Sequence, residues 1–178
     1  MGHRHSRDDI LAGALELVRE QGLSQLSFGR VAGRLAISDR MVVYYFPTKD
    51  DLTTAVMTAL AGDLQTVLGG AFHTPAADAR ALAAAAWPVL ARAELDPVFA
   101  LFFEANGLAA AGREPYRAIC TAIVEAWIAW LLPHLTGPPQ RRRAEAEAAL
   151  ALVDGLLLVR QIAGPDAADR AAGALGLR

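Results

Sequence analysis

Residues 35–49, LAISDRMVVYYFPTK, predict the end of one helix, a tight turn and a second helix. The segment before them, SFGRVAGRL, has helical spacing, and Ala36 and Ile37 are too few for anything but a short connection. Ser38 is expected to cap the next helix, because its hydroxyl can accept an unpaired backbone N–H of the first turn. Pro47 ends that helix, since proline has no N–H to donate. Two helices connected so closely predict a helix-turn-helix.

The preceding residues supply another helix and the rest of a three-helix core. A helix over residues 7–21 has an apolar face of period 3.6 and ends at Gly22. The next helix covers residues 27–35, with Ser27 as its expected N-cap. The apolar residues expected to fill this core are Ile10, Leu11, Ala14, Leu15, Val18, Phe28, Val31, Ala32, Leu35, Ile37, Val42, Val43 and Phe46.

Charge is divided unevenly between the two parts of the chain. Residues 1–49 carry seven Lys and Arg against five Asp and Glu, whereas residues 50–178 carry ten against fourteen. The part with the predicted helix-turn-helix is therefore the basic one, as nucleic-acid binding requires, although such charges also suit an ordinary solvated surface.

Side chains left outside the predicted core are the candidates for contact with DNA. Arg40 can pair with guanine O6 and N7, and Asp39 either accepts from cytosine N4 or favours the helix dipole. Tyr44 or Tyr45, with Lys49, suits a phosphate clamp at the next helix N-terminus. Lys49 is the only lysine in the sequence. The candidate set is Ser27, Arg30, Arg34, Ser38, Asp39, Arg40, Met41, Tyr44, Tyr45 and Lys49.

These segments resemble the DNA-binding domain of TetR-type transcriptional regulators. The run ISDRMVVYYFPTKDDL has the aromatic pair, the Phe, the short turn and the Lys that close that domain, and DDILAGALELVREQGLSQLSFGRVAGRLAIS fits the helices before it. The resemblance is close over about residues 1–52, and architectural beyond. Ala36, Val43 and Tyr45 stand where many members carry Gly, Tyr and His. The resemblance implies a repressor.

The remaining sequence predicts helices throughout. Alanine is abundant and alternating β-branched runs are absent, which favours helix over sheet. A helix over residues 50–68 would span close to 30 Å. Further helices are predicted over residues 76–93, 97–111, 114–135, 139–164 and 166–175, with Pro88 expected to kink or divide the first. We expect an all-α protein with a three-helix helix-turn-helix head (1–49) and a helical-bundle body for regulation and dimerisation (50–178).

Aromatic residues are concentrated on three successive helices of the body. Each alone is explained as a core residue, but together they can line an apolar cavity in which a few polar groups orient a ligand. The TetR resemblance points to a small apolar or amphipathic effector in such a cavity. The candidate lining residues are Leu60, Leu64, Trp87, Phe99, Phe102, Phe103, Asn106, Ile123 and Trp127.

Residues 148–159 are apolar nearly all round, so a helix there needs burial on two sides. One side can be the core of the chain and the other a second copy of it. The candidate dimerisation residues are Ala148, Leu152, Gly155, Leu156 and Val159. Asp154, in the middle, is expected to pair with an arginine such as Arg160 or Arg117, or else to act as a ligand or switch residue.

Other classes of protein find little support. No Gly-rich phosphate loop, metal-spaced cluster or Ser/His/Asp constellation is recognisable, so we expect neither an enzyme nor a cofactor or metal site. No segment reaches membrane-spanning length without interruption, which predicts a cytoplasmic protein with no membrane partner. We expect a regulator that binds an inverted-repeat operator in double-stranded DNA as a homodimer and is released by a small-molecule effector. The alternative is a helical ligand-binding or scaffold protein with a degenerate helix-turn-helix.

Overall fold

The computed structural model describes residues 5–177, and within them the chain forms nine α-helices and no strand. The helices are α1 (Arg7–Gln21), α2 (Phe28–Leu35), α3 (Asp39–Tyr45), α4 (Lys49–Gly69), α5 (Ala79–Leu90), α6 (Asp96–Ala110), α7 (Tyr116–Leu131), α8 (Pro139–Ala163) and α9 (Pro165–Ala174). The all-α prediction is confirmed. Three short 3₁₀ turns, Leu23–Gln25, Ala93–Leu95 and Leu132–His134, join or extend these helices.

Local capping chemistry sets the helix boundaries in the head, which comprises α1 to α3. The hydroxyl of Ser27 accepts the Arg30 N–H at the start of α2. Ser38, the predicted cap of α3, makes no such bond. Ala36 ends α2 with φ of 53°, a left-handed conformation that costs a non-glycine residue about 1–2 kcal/mol. That cost explains why glycine suits this position.

The core of the head extends into the body. Val42 and Phe46 are buried among α1 and α2, as predicted. Val43 is 39% exposed, so the prediction that it closes the core is wrong. The seven residues of α3 make fewer than two turns against the head, which leaves its other side in solvent. Buried residues of α6 and α7, Leu101, Ala105 and Ile119, belong to the same cluster as the head.

The body packs α5 and α9 against α8, with α6 and α7 beside them. Buried side chains of α4, α5, α6, α8 and α9 form its main core, which includes Trp87 and Leu157. α5 is shorter than predicted, because Asp78 caps it and the Ala76 N–H donates instead to the His134 carbonyl at 2.8 Å. Pro88 lies inside α5, two residues before its end.

One segment departs from the expectation that nothing in the chain is long and apolar enough to cross a membrane. By length and composition alone, Tyr116–His134 meets that description. A single helix of this kind is weak evidence for a membrane protein. In this fold it consists of α7 and the following 3₁₀ turn, and α7 packs against α6 and α8.

Candidate DNA-binding face and body cavity

The outer face of α3 is the exposed surface of the head where the candidate DNA-reading side chains lie together. Asp39, Arg40, Met41 and Tyr44 are all exposed on it, and Tyr44 is 75% accessible. Arg40 makes no hydrogen bond or ion pair with any other residue between 5 and 177. A free guanidinium on a short, well-anchored helix is available to base edges or phosphates.

The two tyrosines of α3 have different environments. Tyr45 is half-buried, and its hydroxyl donates to the His5 carbonyl at 3.2 Å, which ties the start of the described chain to α3. Tyr44 packs edge-to-face on the Tyr45 ring, with centroids 4.9 Å apart, and extends into solvent. Of the two, Tyr44 has the hydroxyl that is free to meet a ligand outside the head.

Lys49 is exposed at the first position of α4, directly after the turn that ends α3. Thr48 and Asp51 form a capping box, in which the Thr48 hydroxyl accepts the Asp51 N–H at 3.0 Å. This box leaves the N–H groups of Lys49 and Asp50 without a partner in residues 5–177. A cationic side chain and two free amides at one helix N-terminus suit a phosphate.

Two of the candidate arginines are engaged by the head itself. The Arg34 guanidinium contacts both Glu20 oxygens at 2.6 and 2.7 Å and a Glu16 oxygen at 3.1 Å. These contacts raise the pKa of Arg34 and lower the pKa of Glu20. Arg30 donates to the Gln21 side chain at 2.9 Å. The structure therefore uses Arg34 to join α2 to α1 and does not bring it together with Arg40.

A cavity of about 100 Å³ lies in the body between α4, α5, α6, α7 and α8. Seven of the predicted residues line it: Leu64, Phe99, Phe102, Phe103, Asn106, Ile123 and Trp127. Trp87 is packed in the body core instead, and Leu60 lines a second hollow of about 420 Å³. That hollow lies between head and body and is rimmed by charged residues, including the Arg19–Asp63 ion pair. The first, apolar cavity is the better match for the aromatic pattern.

Asp154 also lines the first cavity, and its expected pairing with an arginine such as Arg160 or Arg117 is wrong. Arg160 binds the Asp96 carboxylate through two contacts of 2.6 and 3.0 Å. No partner for the Asp154 side chain exists among residues 5–177. Burial raises the pKa of Asp154 to about 6, because the charged carboxylate loses water without gaining a counter-ion.

A direct contact joins the body to the turn between α1 and α2. The Glu104 carboxylate of α6 accepts the Leu23 N–H at 2.9 Å and the Ser24 N–H at 2.8 Å. Glu104 lies between Phe103 and Asn106 in sequence, and both of those residues line the apolar cavity. One helix therefore contacts both the cavity and the head.

The predicted dimerisation residues are divided between two sides of α8. Leu156 is only 4% exposed and Leu152 packs in the same core, whereas Ala148, Gly155 and Val159 are exposed. A Cβ at Gly155 would meet no atom within 4 Å. Three large apolar side chains of α8, Leu158, Val159 and Ile162, are exposed, as is Leu175, the residue directly after α9; we call these four the α8–α9 patch.

Comparison with known proteins identifies the family of the head. Residues 10–56 match the model of the bacterial regulatory proteins of the tetR family. The head is of the TetR type. The match covers nearly all of the head and the first eight residues of α4, so it includes every candidate DNA-facing residue. No curated protein matches the sequence closely enough to count as a relative.

Solved structures extend the TetR-type assignment of the fold to the body. A transcriptional regulator from Rhodococcus sp. Rha1 has 22% identity and a TM-score of 0.72, covering 96% of this chain and 94% of its own. A tetR-family regulator from Streptomyces coelicolor has 22% identity and a TM-score of 0.65, covering 99% and 82%. The multidrug binding protein EbrR, solved with imidazole, has 27% identity and a TM-score of 0.71, covering 99% and 92%.

Two features of the structure could not be predicted from the sequence. Glu104 was not a candidate, because a carboxylate that caps a turn 80 residues away leaves no local pattern. The second is the side of α8 that faces the cavity, which adds Leu150, Val153 and Leu157 to its wall. A helix that is apolar on all sides does not reveal which side meets its own core.

Proposed function

We propose that this TetR-type chain is a ligand-responsive transcriptional regulator of the cytoplasm. In this proposal a homodimer represses transcription by binding an inverted-repeat operator, and a small molecule in the body cavity releases it. Residues 1–49 are the DNA-binding head, and residues 50–178 form the ligand-binding and dimerisation body. The observation that carries the proposal is the exposed face of α3, where Arg40 has no partner within residues 5–177.

Recognition of DNA divides between base contacts and phosphate contacts. Arg40 lies in the first turn of α3, the part of a recognition helix that meets base edges in the major groove. Tyr44 and Lys49 lie at the other end of α3 and at the start of α4, where a phosphate can reach both them and the free amides of α4. Arg34 is excluded from this assignment, because it is held by Glu16 and Glu20.

Dimerisation is assigned to the α8–α9 patch. Ile162 is 77% exposed; Leu158 and Val159 lie on the same helix, and Leu175 directly follows α9. Exposed apolar clusters on a soluble chain mark interaction surfaces, and a two-fold dimer brings one such patch against its own copy. Two heads in one dimer would read two half-sites separated by about 34–36 Å or a multiple of that length.

Release by a ligand requires a connection between cavity and head. α4 begins at Lys49 and contributes Leu64 to the cavity wall, and α6 contributes Phe102 and Phe103 to that wall while Glu104 holds the α1–α2 turn. A ligand that displaces either helix therefore changes the position of the head. A coupling of about 1–3 kcal/mol changes operator affinity some 5–150-fold, and operator weakens ligand binding by the same factor.

The test begins with the DNA flanking the gene, searched for an inverted repeat that the purified protein binds. Arg40→Ala should cost about 1–3 kcal/mol on that site and relax selectivity at one base position. Lys49→Ala should weaken binding to specific and random DNA alike. It should also reduce by about one the slope of log affinity against log salt concentration. Arg92→Ala, an exposed arginine of the body, is the matched control and should change neither.

Two results would count against the proposal. Equal losses by the Arg40 variant on specific and random DNA would remove the assignment of Arg40 to base reading. Wild-type binding without sequence selectivity or salt dependence would favour the alternative, a helical ligand-binding or scaffold protein with a degenerate helix-turn-helix.

A further inference from the structure

The wall of the body cavity is apolar with very few exceptions. Phenylalanine, leucine, isoleucine, valine, alanine and tryptophan side chains make up most of it, and Asn106, Cys120 and Asp154 are the other lining residues. Burial raises the pKa of the Cys120 thiol, so that group is neutral at physiological pH. Asp154 is therefore the one lining side chain able to carry a charge.

Within residues 5–177, charged side chains of α8 and of the helices that pack around it have contacts of their own and none with Asp154. On α8, Arg160 is held by Asp96 of α6, and Arg143 is held by Glu125 of α7 and by Glu147. From α9, Asp169 acts on Arg160, and from α5, Arg80 lies against Gly176. No charge contributes to the pKa shift of Asp154, whose cause is burial alone.

The Asp154 oxygens are not sealed inside the protein. The described chain contains one enclosed side-chain nitrogen or oxygen without a hydrogen bond, and it is Arg142 Nε. Since Asp154 has no hydrogen-bond partner in the described chain and its oxygens are not among the enclosed atoms, its carboxylate has access to free space, and Asp154 is one of the residues that line the cavity. A carboxylate held in apolar surroundings without a cation is costly, so an incoming positive charge gains more there than a neutral group does.

We propose that the cavity selects a small organic cation, with Asp154 as its counter-ion and the aromatic wall packing around its apolar part. This inference rests on the proposed function only in taking the cavity as the effector site. Phe99, Phe102, Phe103 and Trp127 line the cavity, and aromatic rings attract an alkylammonium group. The cavity volume of about 100 Å³ suits a compact head such as trimethylammonium.

Protonation of Asp154 competes with the cation. In the free protein the pKa of Asp154 is about 6, so at pH 5 most of the carboxyl groups are neutral. A bound cation favours the ionised form, which means that binding at low pH must expel a proton. Affinity for a permanently charged cation should therefore fall about tenfold per pH unit well below pH 6 and become constant above pH 7.

The experiment compares phenyltrimethylammonium with tert-butylbenzene, which has the same shape and no charge. Binding to the full chain without DNA is followed by calorimetry and by tryptophan emission, since Trp127 lines the cavity. Wild type should bind the cation at least tenfold more tightly than the neutral compound at pH 7.5. Asp154→Asn should lose at least tenfold in affinity for the cation and keep its affinity for the neutral compound. Asp154→Glu should retain part of the preference for the cation.

Three outcomes would overturn the cation assignment. The first is that wild type binds the two compounds equally. The second is that Asp154→Asn, shown by circular dichroism to be folded, keeps the wild-type affinity for the cation. The third is that the affinity for the cation rises as the pH falls. The last result would indicate a neutral ligand that accepts a hydrogen bond from protonated Asp154. Operator release is measured separately, so cation binding through Asp154 without release would refute the effector role and leave the ligand class supported.

Discussion

Replacing Asp154 with asparagine should stabilise the free protein, and the gain should depend on pH. Burial raises the pKa of Asp154 from 3.8 to about 6, so the folded state binds a proton more tightly than the unfolded state. Each pKa unit corresponds to about 1.4 kcal/mol, which gives a penalty of up to about 3 kcal/mol when the group is ionised in both states. The penalty is absent below about pH 4, grows as pH rises, and is complete above about pH 6.

The assay is urea unfolding followed by circular dichroism at pH 4, 5, 6 and 7, at one protomer concentration. The free energy of unfolding of Asp154→Asn should exceed that of wild type by nearly zero at pH 4 and by about 2–3 kcal/mol at pH 7. Asp63→Asn is the matched control, because Asp63 is an exposed carboxylate paired with Arg19 and its loss should cost about 0–1 kcal/mol. A difference that is constant with pH, or a variant that becomes less stable as pH rises, would show that the Asp154 carboxylate has a stabilising partner.

Three further predictions concern the dimer, the link between head and body, and the turn after α2. Ile162→Glu should be monomeric in analytical ultracentrifugation and should no longer bind the inverted repeat, whereas Val67→Glu, on α4, should remain a dimer. A dimeric Ile162→Glu variant would show that the α8–α9 patch is not the dimer interface. Glu104→Gln should reduce ligand-induced operator release while leaving ligand affinity within about twofold, because it weakens the bonds to the α1–α2 turn; unchanged release would remove α6 from the pathway. Ala36→Gly should stabilise the head by about 0.5–1 kcal/mol in thermal unfolding, since relief of the left-handed strain exceeds the added chain entropy; a loss of stability would contradict that balance.

Helix positions were predictable because their signals are local. Gly22 ends α1, Thr48 caps α4, and Pro139 and Pro165 begin α8 and α9, and each acts within a few residues of itself. The resemblance to TetR-type regulators had the same basis, since the residues that carried it lie in one continuous stretch that the family model also matches.

The direction in which a side chain faces and the residue with which it pairs were harder to predict. Val43 and Leu156 are both apolar, and only the packed structure shows that the first faces solvent and the second the core. Arg34 looked like a surface cation until Glu16 and Glu20, 14 to 18 residues earlier, proved to lie against it. Aromatic residues at helical spacing on neighbouring helices converge on the cavity, whereas Trp87 packs in the core, because periodicity does not distinguish a cavity wall from a filled core.

The bonds from Glu104 to the α1–α2 turn limit how regulators of this kind can be recombined. A chimera that joins this head to another body through α4 would keep the chain continuous but would replace α6. Without a carboxylate at the position of Glu104, the N–H groups of Leu23 and Ser24 would lose their acceptors, and the part-buried Leu23 group would cost about 1–3 kcal/mol. Such a hybrid would be less stable, and under the proposed function less responsive to a ligand, unless the donor's α6 also carried an acid at this place.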